Sequence, residues 1–217
     1  KPENYCTEFI HGDLRDLSIC RKAVKDVNWV FHFASNTGGM GFIHELNNFI
    51  TYKNNHLITV NMAQASLEAG IERFFYASSA CVYPQEKQLN PNDLSLKLKE
   101  TDVWYLDNGE PGPNPQGLYG REKLNSETFL MGFLDSSKIR IARFHNIFGD
   151  GNNWVGGREN VPAALIRKAI CSTNEKGYYE IEIWGSGDQC RSFLYIEDCV
   201  DAIIKLMESD YSKPLNI

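Results

Sequence analysis

The sequence predicts an α/β protein with a Rossmann-like, doubly wound parallel sheet and a smaller C-terminal lobe, both incomplete in this chain. Apolar runs of strand length alternate with stretches of helical composition, which is the pattern of a doubly wound sheet. Residues 27–34 are apolar almost throughout, as is typical of a strand buried on both faces of a parallel sheet. Beyond Gly149 the elements become shorter and mixed, so we predict one domain over residues 1–149 and part of a second lobe over residues 150–217.

Each element follows from its local pattern. Gly70 stands where a helix usually ends. The stretch 90–116 is polar, finishes in a run rich in Pro and Gly, and is predicted to be a loop. The glycine-rich turn that opens a Rossmann sheet does not follow the first predicted strand, so we expect the chain to begin after the first βαβ unit. The predicted strands are 6–10, 27–34, 73–77, 139–144, 179–184 and 215–217, and the predicted helices are 42–69, 118–134, 161–170 and 197–209.

Composition excludes several classes of protein. The 217 residues carry a formal net charge of −6 without a basic run, so nucleic-acid binding is not expected. No apolar run reaches the roughly 18 residues that a membrane span needs, and the polar start has no signal-peptide core. The six cysteines are scattered without a C-x-x-C pair, so neither a zinc site nor a dense disulfide framework is predicted. We therefore expect a cytoplasmic protein.

Tyr119 and Lys123 are the first candidates for chemistry. They are four residues apart in a predicted helix, so both side chains fall on one face. A nearby ammonium favours the phenolate and makes a tyrosine a usable acid or base. The spacing alone also fits an exposed surface pair. Tyr83 and Lys87 have the same spacing, but Pro84 disfavours a helix there.

Ser79 and Cys81 form a second candidate pair. They lie in a turn that we predict just past the strand 73–77, and ligands of open α/β sheets bind at the carboxyl ends of the strands. A hydroxyl and a thiol would thus face a ligand. The alternative is a packed turn with a buried, inert cysteine.

Other polar residues at predicted strand ends allow two interpretations. Asp13 could accept a hydrogen bond from an adenine amino group or could cap the next helix. His32 lies within a predicted buried strand and is interpreted as a core histidine. Asn146 could face a ligand. Arg158 and Arg191 are candidate diphosphate ligands, although each could instead form a surface ion pair.

Taken together, these segments resemble the extended short-chain dehydrogenase/reductase family, and within it the GDP-mannose 3,5-epimerases. The resemblance covers nearly the whole chain. The family pattern is carried by residues 12–14 (GDL), 32–35 (HFAS), 78–83 (SSACVY), 119–123 (YGREK), 143–149 (RFHNIFG) and 185–198 (GSGDQCRSFLYIED). The narrower resemblance is carried by residues 38–43 (GGMGFI), 73–81 (RFFYASSAC), 143–146 (RFHN) and 154–159 (WVGGRE).

The resemblance implies an NAD-binding first domain, a substrate-binding lobe and a GDP-hexose substrate. The mechanism that the resemblance implies begins with oxidation of the sugar C4 hydroxyl by NAD, with Tyr119 as base, and the ketone then acidifies the C3 and C5 protons. In that mechanism Cys81 would exchange one of those protons, and the hydride would return to C4. The implied cofactor residues are Asp13, Ala34, Ser35, Ser78, Tyr119 and Lys123. The implied substrate residues are Gly38, Ser79, Cys81, Asn146, Arg158, Glu159, Asn160, Lys168, Gln189 and Arg191.

The chain departs from the family pattern at its second acid/base residue. The family has a lysine directly after Arg-Glu, whereas this chain has Asn160. An amide does not deliver a proton at neutral pH, so impaired turnover is expected. Residues 110–116 form an insertion just before Tyr119.

The alternative function is that of a structural or regulatory subunit without turnover, or of another nucleotide-sugar epimerase or dehydratase. By analogy with the family, a homodimer through the helical stretches 42–69 and 118–134 is expected.

Overall fold

The computed structural model describes residues 5–38, 48–88, 97–104, 112–172, 180–183, 185–188 and 190–217. Within these ranges the chain forms a four-stranded parallel sheet and a separate two-stranded parallel sheet. The larger sheet has the order β1 (Trp29–His32), β2 (Arg73–Ser79), β3 (Ile139–Phe144), β6 (Leu215–Asn216). The smaller sheet pairs β4 (Asn146–Phe148) with β5 (Phe193–Tyr195). The helices are α1 (Leu17–Ala23), α2 (Asn48–Ala69), α3 (Gly117–Phe133), α4 (Val161–Cys171) and α5 (Ile196–Glu208).

Helices cover both faces of the larger sheet, which confirms the predicted Rossmann-like α/β fold. Successive side chains of a strand point to opposite faces. Phe74 and Tyr76 of β2 accordingly pack with α1, α2 and α3 on one face, while Phe75 packs against Ile203 and Met207 of α5 on the other. His32 faces α2, where its Nε2 lies 3.2 Å from Thr59 Oγ1. Burial lowers the pKa of His32 to about 3, so this histidine is a neutral core residue, as the sequence predicts.

Most predicted elements are confirmed within one or two residues. The strand 139–144 is found as predicted, and α2 ends before Gly70, whose φ of +68° is the left-handed conformation that glycine adopts readily. β2 continues two residues further than predicted, to Ser79. Residues 42–47 of the predicted second helix lie outside the described residues.

Two predicted strands are wrong, and two strands were missed. Residues 6–10 form no strand, because a strand needs a neighbour for its backbone hydrogen bonds and, in the described part of the chain, none lies alongside. Residues 180–183 also form no strand, and the flanking positions 179 and 184 lie outside the described residues. The missed strands, β4 and β5, have three residues each and are too short to give an alternating pattern. The predicted loop contains a short 3₁₀ helix at Glu100–Trp104.

Among the described residues, no helix has both the length and the apolar composition that a membrane crossing requires.

A buried ion pair joins the sheet to α3. Arg143, at the end of β3, binds Glu127 of α3 with 2.7 Å between Nη2 and Oε2, and the two side chains are 1% and 0% exposed. The Ser78 hydroxyl donates a hydrogen bond to the same carboxylate. Burial alone would lower the pKa of Arg143, but hydrogen bonding and attraction to Glu127 raise it above its usual value, so the guanidinium stays charged.

We predict that Arg143→Met lowers the free energy of unfolding by about 3–5 kcal/mol, because it leaves a buried carboxylate without its counter-charge. The double variant Arg143→Met/Glu127→Leu should lose less, since neither charge remains. Denaturant unfolding monitored by circular dichroism measures both. Glu68→Gln breaks an exposed ion pair with Arg21 and is the matched control, with an expected loss below about 1 kcal/mol. Equal losses in the single and double variants would contradict this account.

Candidate active site

The candidate active site lies at the carboxyl ends of β1 and β2, where the first turn of α3 meets them. Ser78 and Ser79 are the last two residues of β2 and not part of the turn after it, which corrects the prediction. The turn itself is a 3₁₀ helix at Ala80–Val82, and Ser79 Oγ caps it by accepting the Cys81 N–H at 3.2 Å.

Close packing of α3 against this turn fixes its position. The Gln116 N–H donates a hydrogen bond to the Cys81 carbonyl oxygen at 2.8 Å. A Cβ added to Gly120 would lie 2.1 Å from that same oxygen, so only glycine allows the approach. Tyr119, next to Gly120, is thereby held beside Ser79 and the turn that carries Cys81.

Tyr119 is half-buried, and its phenol is engaged by hydroxyls. Thr37 Oγ1 donates a hydrogen bond to Tyr119 Oη at 3.1 Å. Burial raises the pKa of Tyr119 to about 12, while hydrogen bonds with Thr37 and Ser79 act in the opposite direction. The other Tyr-x-x-x-Lys match is structural: Tyr83 is fully buried, and its hydroxyl lies 2.5 Å from Asn216 Oδ1.

Lys123 lies on the same face of α3 as Tyr119, as the spacing predicts. Its Nζ donates to the Ala77 carbonyl at 2.9 Å and lies 5.8 Å from the centre of the Tyr119 ring. Its side chain is 4% exposed. Burial lowers the pKa of Lys123, and the carboxylates of Glu122 and Glu127 oppose this effect. The Lys123 amine is thus buried close to the phenol ring.

Cys81 is a partly buried thiol. Burial raises its pKa above the ordinary value of a cysteine, whereas the hydrogen bond with Ser79 and the charge of Lys123 lower it. The net direction is upward, so the thiol keeps its proton at neutral pH. A protonated thiol can donate a proton, and the charge of Lys123 favours the thiolate that would remain.

The cofactor candidates differ in what their side chains contact. Ala34 and Ser35 follow β1 directly, and Ser35 Oγ is buried without a hydrogen-bond partner. Asp13 forms an ion pair with Arg15, which lowers the pKa of its carboxyl to about 2. Capping of α1 is carried out by Asp16, so the capping alternative for Asp13 is wrong. Ser78 faces the interior, and Glu127 engages its hydroxyl, so this side chain is not directed at a ligand.

The Gly-rich segment before α4 reaches the edge of this site. Arg158 Nη1 donates to Asn36 Oδ1, in the segment that follows β1, at 3.2 Å. Glu159 forms an ion pair with Arg167 of α4 at 3.1 Å. Asn160 is the N-cap residue of α4, but its side chain makes no capping hydrogen bond. Gly38 ends the described part of the segment after β1.

The remaining substrate candidates among the described residues donate hydrogen bonds to backbone carbonyls of residues 150–217, the predicted second lobe. Asn146 Nδ2 donates to the Ser192 carbonyl at 3.0 Å and so joins β4 to the start of β5. Lys168 Nζ donates to the Glu182 carbonyl at 2.6 Å. Arg191 is exposed, and its Nη1 donates to the neighbouring Cys190 carbonyl. Gln189 lies outside the described residues.

A cavity of about 500 Å³ lies in the same lobe, between the loop after β4 and α4. Its wall includes Phe148, Trp154, Ile166 and Tyr195. Neither Tyr119 nor Cys81 belongs to it, so we separate this cavity from the candidate active site.

Three residues of the site were missed by the sequence analysis. Thr37 contacts Tyr119, and Asn36 contacts Arg158. Asn55 of α2 binds the backbone of Asn36. The available signal was a polar residue, Asn55, inside a helix that packs on the sheet. A buried asparagine needs partners for its amide, and here the partner is a backbone segment.

Comparison with known proteins agrees with this geometry. The whole chain, residues 1–217, matches the family described as the NAD dependent epimerase/dehydratase family. The chain belongs to this family. The extended short-chain dehydrogenase/reductase resemblance predicted from the motifs is thereby confirmed.

The sequence relatives include GDP-mannose 3,5-epimerase from Arabidopsis thaliana. It is 44% identical over 215 residues, which cover 98% of this chain and 53% of that protein. The chain therefore spans about half the length of the curated relatives it matches.

Two solved structures show the same fold. One is the UDP-N-acetylglucosamine 4-epimerase from Methanobrevibacter ruminantium M1 in complex with UDP-N-acetylmuramic acid (TM-score 0.72, 26% identity, covering 96% of this chain and 60% of that chain). The other is the UDP-glucose 4-epimerase from Thermotoga maritima with UDP-glucose (TM-score 0.76, 21% identity, covering 100% of this chain and 65% of that chain).

We predict that Gly120→Ala lowers the free energy of unfolding by about 1–3 kcal/mol, because the new Cβ must push α3 away from the Cys81 carbonyl. Gly132→Ala is the matched control in the same helix. A Cβ there meets no atom within 4 Å, so a gain of about 0.5–1 kcal/mol is expected from helix propensity. Denaturant melts compare the two. A gain for both variants would show that the close approach does not constrain α3.

Proposed function

We propose that the protein containing this chain is an NAD-dependent nucleotide-sugar epimerase that acts on a GDP-hexose, with GDP-mannose to GDP-galactose as the type reaction. The observation that carries the proposal is the convergence of Tyr119, Lys123, Ser79 and Cys81 at one edge of the sheet. Packing alone does not require a phenol, an ammonium, a hydroxyl and a thiol together. The 44% identity to a GDP-mannose 3,5-epimerase supports the choice of substrate.

The residues at the carboxyl end of β1 fit a bound dinucleotide. Ser35 Oγ is a buried hydroxyl that still needs a partner. Ser35 and Ala34 would line the cofactor, Lys123 would hold its ribose hydroxyls, and the Asp13 carboxylate would accept a hydrogen bond from its adenine. When bound, NAD supplies the hydride acceptor and donor for the C4 position of the sugar.

The chain's own groups handle the protons. Tyr119 acts in its phenolate form, which the Lys123 ammonium favours, and it becomes a neutral phenol when it takes the proton of the C4 hydroxyl. Ser79 holds the C4 oxygen. Once C4 is a ketone, the protons at C3 and C5 become acidic because the carbonyl delocalises the carbanion. Cys81 then exchanges a proton on one face of the ring, and its protonated resting state suits the delivery step.

The opposite face of the ring lacks a strong acid at the expected position. Asn160 stands where the resemblance implies a lysine. An amide does not release a proton at neutral pH, so it cannot act as an acid in this reaction. General acid–base catalysis contributes roughly 10²–10⁴-fold, so turnover should be slower than with a lysine. This substitution is the one observation that favours the second candidate function, a structural or regulatory subunit that keeps the fold.

We also propose a cytoplasmic homodimer. In the described part of the chain, no disulfide bond joins Cys20, Cys81, Cys171, Cys190 or Cys199, which suits a reducing compartment. The side chains of Phe49, Ile50, Leu57 and Phe133, on α2 and α3, are apolar and exposed, and a second copy of the chain would cover them.

The full-length protein is expected to bind NAD and GDP-mannose in calorimetric titrations and to exchange deuterium from solvent into the sugar at C3 and C5. Cys81→Ser should abolish the exchange, because a serine hydroxyl is a far weaker acid than a thiol. Tyr119→Phe should abolish both exchange and epimerisation, since no oxidation at C4 precedes them. Lack of binding of either ligand would refute the proposal.

Asn160→Lys is expected to raise the rate of epimerisation by roughly 10²-fold, because it supplies the missing acid/base group. Mass spectrometry of deuterium incorporation and of the product sugars measures the gain. Asn160→Met, similar in length but without an ionisable group, is the control and should give no gain. Unchanged turnover in Asn160→Lys would show that position 160 takes no part in proton exchange.

A further inference from the structure

We propose that Thr37 is a positioning residue for the catalytic phenol: its hydroxyl orients Tyr119 and stabilises the deprotonated form during proton transfer. This inference rests on the proposed function, because it assigns to Thr37 an effect on the base of that reaction. The contact that carries it joins two residues 82 positions apart in the chain.

The direction of the hydrogen bond determines its effect. Thr37 Oγ1 donates to Tyr119 Oη at 3.1 Å, the atom that must lose and regain a proton. A hydrogen bond becomes stronger when its acceptor becomes an anion. The contact therefore favours the phenolate, and it lowers the pKa of Tyr119 against the upward effect of burial.

Asn55 fixes the segment that carries Thr37 by binding the backbone of the preceding residue, Asn36. Asn55 is 1% exposed in α2, and its amide makes two hydrogen bonds with the backbone of Asn36. Its Oδ1 accepts the Asn36 N–H at 2.7 Å, and its Nδ2 donates to the Asn36 carbonyl at 3.1 Å. Both backbone groups of the residue before Thr37 are thus fixed to a helix of the core.

The same segment is also tied to the second lobe. Asn36 Oδ1 accepts a hydrogen bond from Arg158, so backbone and side chain of Asn36 are both engaged. Thr37 is exposed, yet it projects from a segment with two independent anchors. Such a hydroxyl can hold its acceptor at a defined angle without being buried itself.

Thr37 complements Ser79 at the phenol. Ser79 also interacts with Tyr119, but its hydroxyl accepts the Cys81 N–H and is proposed to hold the sugar C4 oxygen. When Ser79 turns to the substrate, Thr37 remains as a donor to Tyr119.

Titration of Tyr119 in full-length protein labelled with 3-fluorotyrosine tests the inference without requiring turnover. The ¹⁹F resonance of Tyr119 is assigned by its loss in Tyr119→Phe. In Thr37→Val the pKa of Tyr119 should rise, so that its titration moves to higher pH. Thr37→Ser keeps the donor and should titrate like the unmodified protein. Thr128→Val, on the same helix as Tyr119 but bonded to a helix carbonyl, is the matched control and should change nothing.

Turnover of GDP-mannose provides the second readout. Thr37→Val should lower the rate at neutral pH by about tenfold and move the ascending limb of the pH profile to higher pH, since less phenolate is available. Thr37→Ser should restore both. Asn55→Leu should shift the Tyr119 titration in the same direction, and adding Thr37→Val to it should change little more, because both act through one contact.

An unchanged Tyr119 titration in Thr37→Val overturns this inference, whatever the turnover. Equal losses in Thr37→Val and Thr37→Ser also overturn it, because the effect would then come from the shape of the segment and not from the hydroxyl. A shifted titration in a protein that turns over no GDP-hexose would instead refute the proposed function and leave the Thr37–Tyr119 bond standing.

Discussion

The ion pair between Arg143 and Glu127 is the constraint on which the rest of the structure depends. It lies in the interior, where a charge without its partner is far more costly than at the surface. Arg143 also binds the Tyr83 hydroxyl and the Glu100 carbonyl, and Glu127 accepts from Ser78. One buried pair therefore connects two strands, a helix and the segments around the site, and each is fixed relative to the others.

The helical repeat of α3 places the candidate active-site residues relative to this ion pair. Tyr119, Lys123 and Glu127 are spaced by four along α3, so they form a single stripe on the face that meets the sheet. Glu127 anchors the inner end of the stripe, and Tyr119 lies at the outer end beside the turn. On β2, Ser78 faces the anchor, whereas its neighbour Ser79 caps the turn and reaches Cys81. On β2 a structural residue, Ser78, is thus followed directly by a candidate catalytic residue, Ser79, whereas on α3 the structural Glu127 lies at one end of the stripe.

Sequence alone predicts the parts of this arrangement that depend on local pattern. β3 was predictable because four of its six residues are apolar, and the Tyr119–Lys123 pair because helical spacing puts both on one face. Contacts between distant segments were not predictable. Residues 6–10 have the composition of a strand, but pairing depends on what lies alongside, and the Thr37–Tyr119 bond joins segments whose approach is set by α2 through Asn55. Nothing in the residues around Thr37 marks it as a donor to a phenol.

The electrostatics of the candidate site follow from the burial of its ionisable groups, Tyr119, Cys81 and Lys123. Burial raises the pKa of both Tyr119 and Cys81, so both hold their protons at rest. It also lowers the pKa of Lys123, although neighbouring carboxylates oppose the loss of its charge. A group that must both give and take a proton needs its anion stabilised, and here Lys123 is close to the phenol and the thiol alike. Because one cation supports both anions, the two proton transfers are coupled: a phenolate at Tyr119 reduces the stabilisation that Lys123 offers to a thiolate at Cys81. In the reaction that we propose, oxidation at C4 and exchange at the neighbouring carbons would therefore follow an ordered sequence, in which Tyr119 is protonated again before Cys81 gives up its proton.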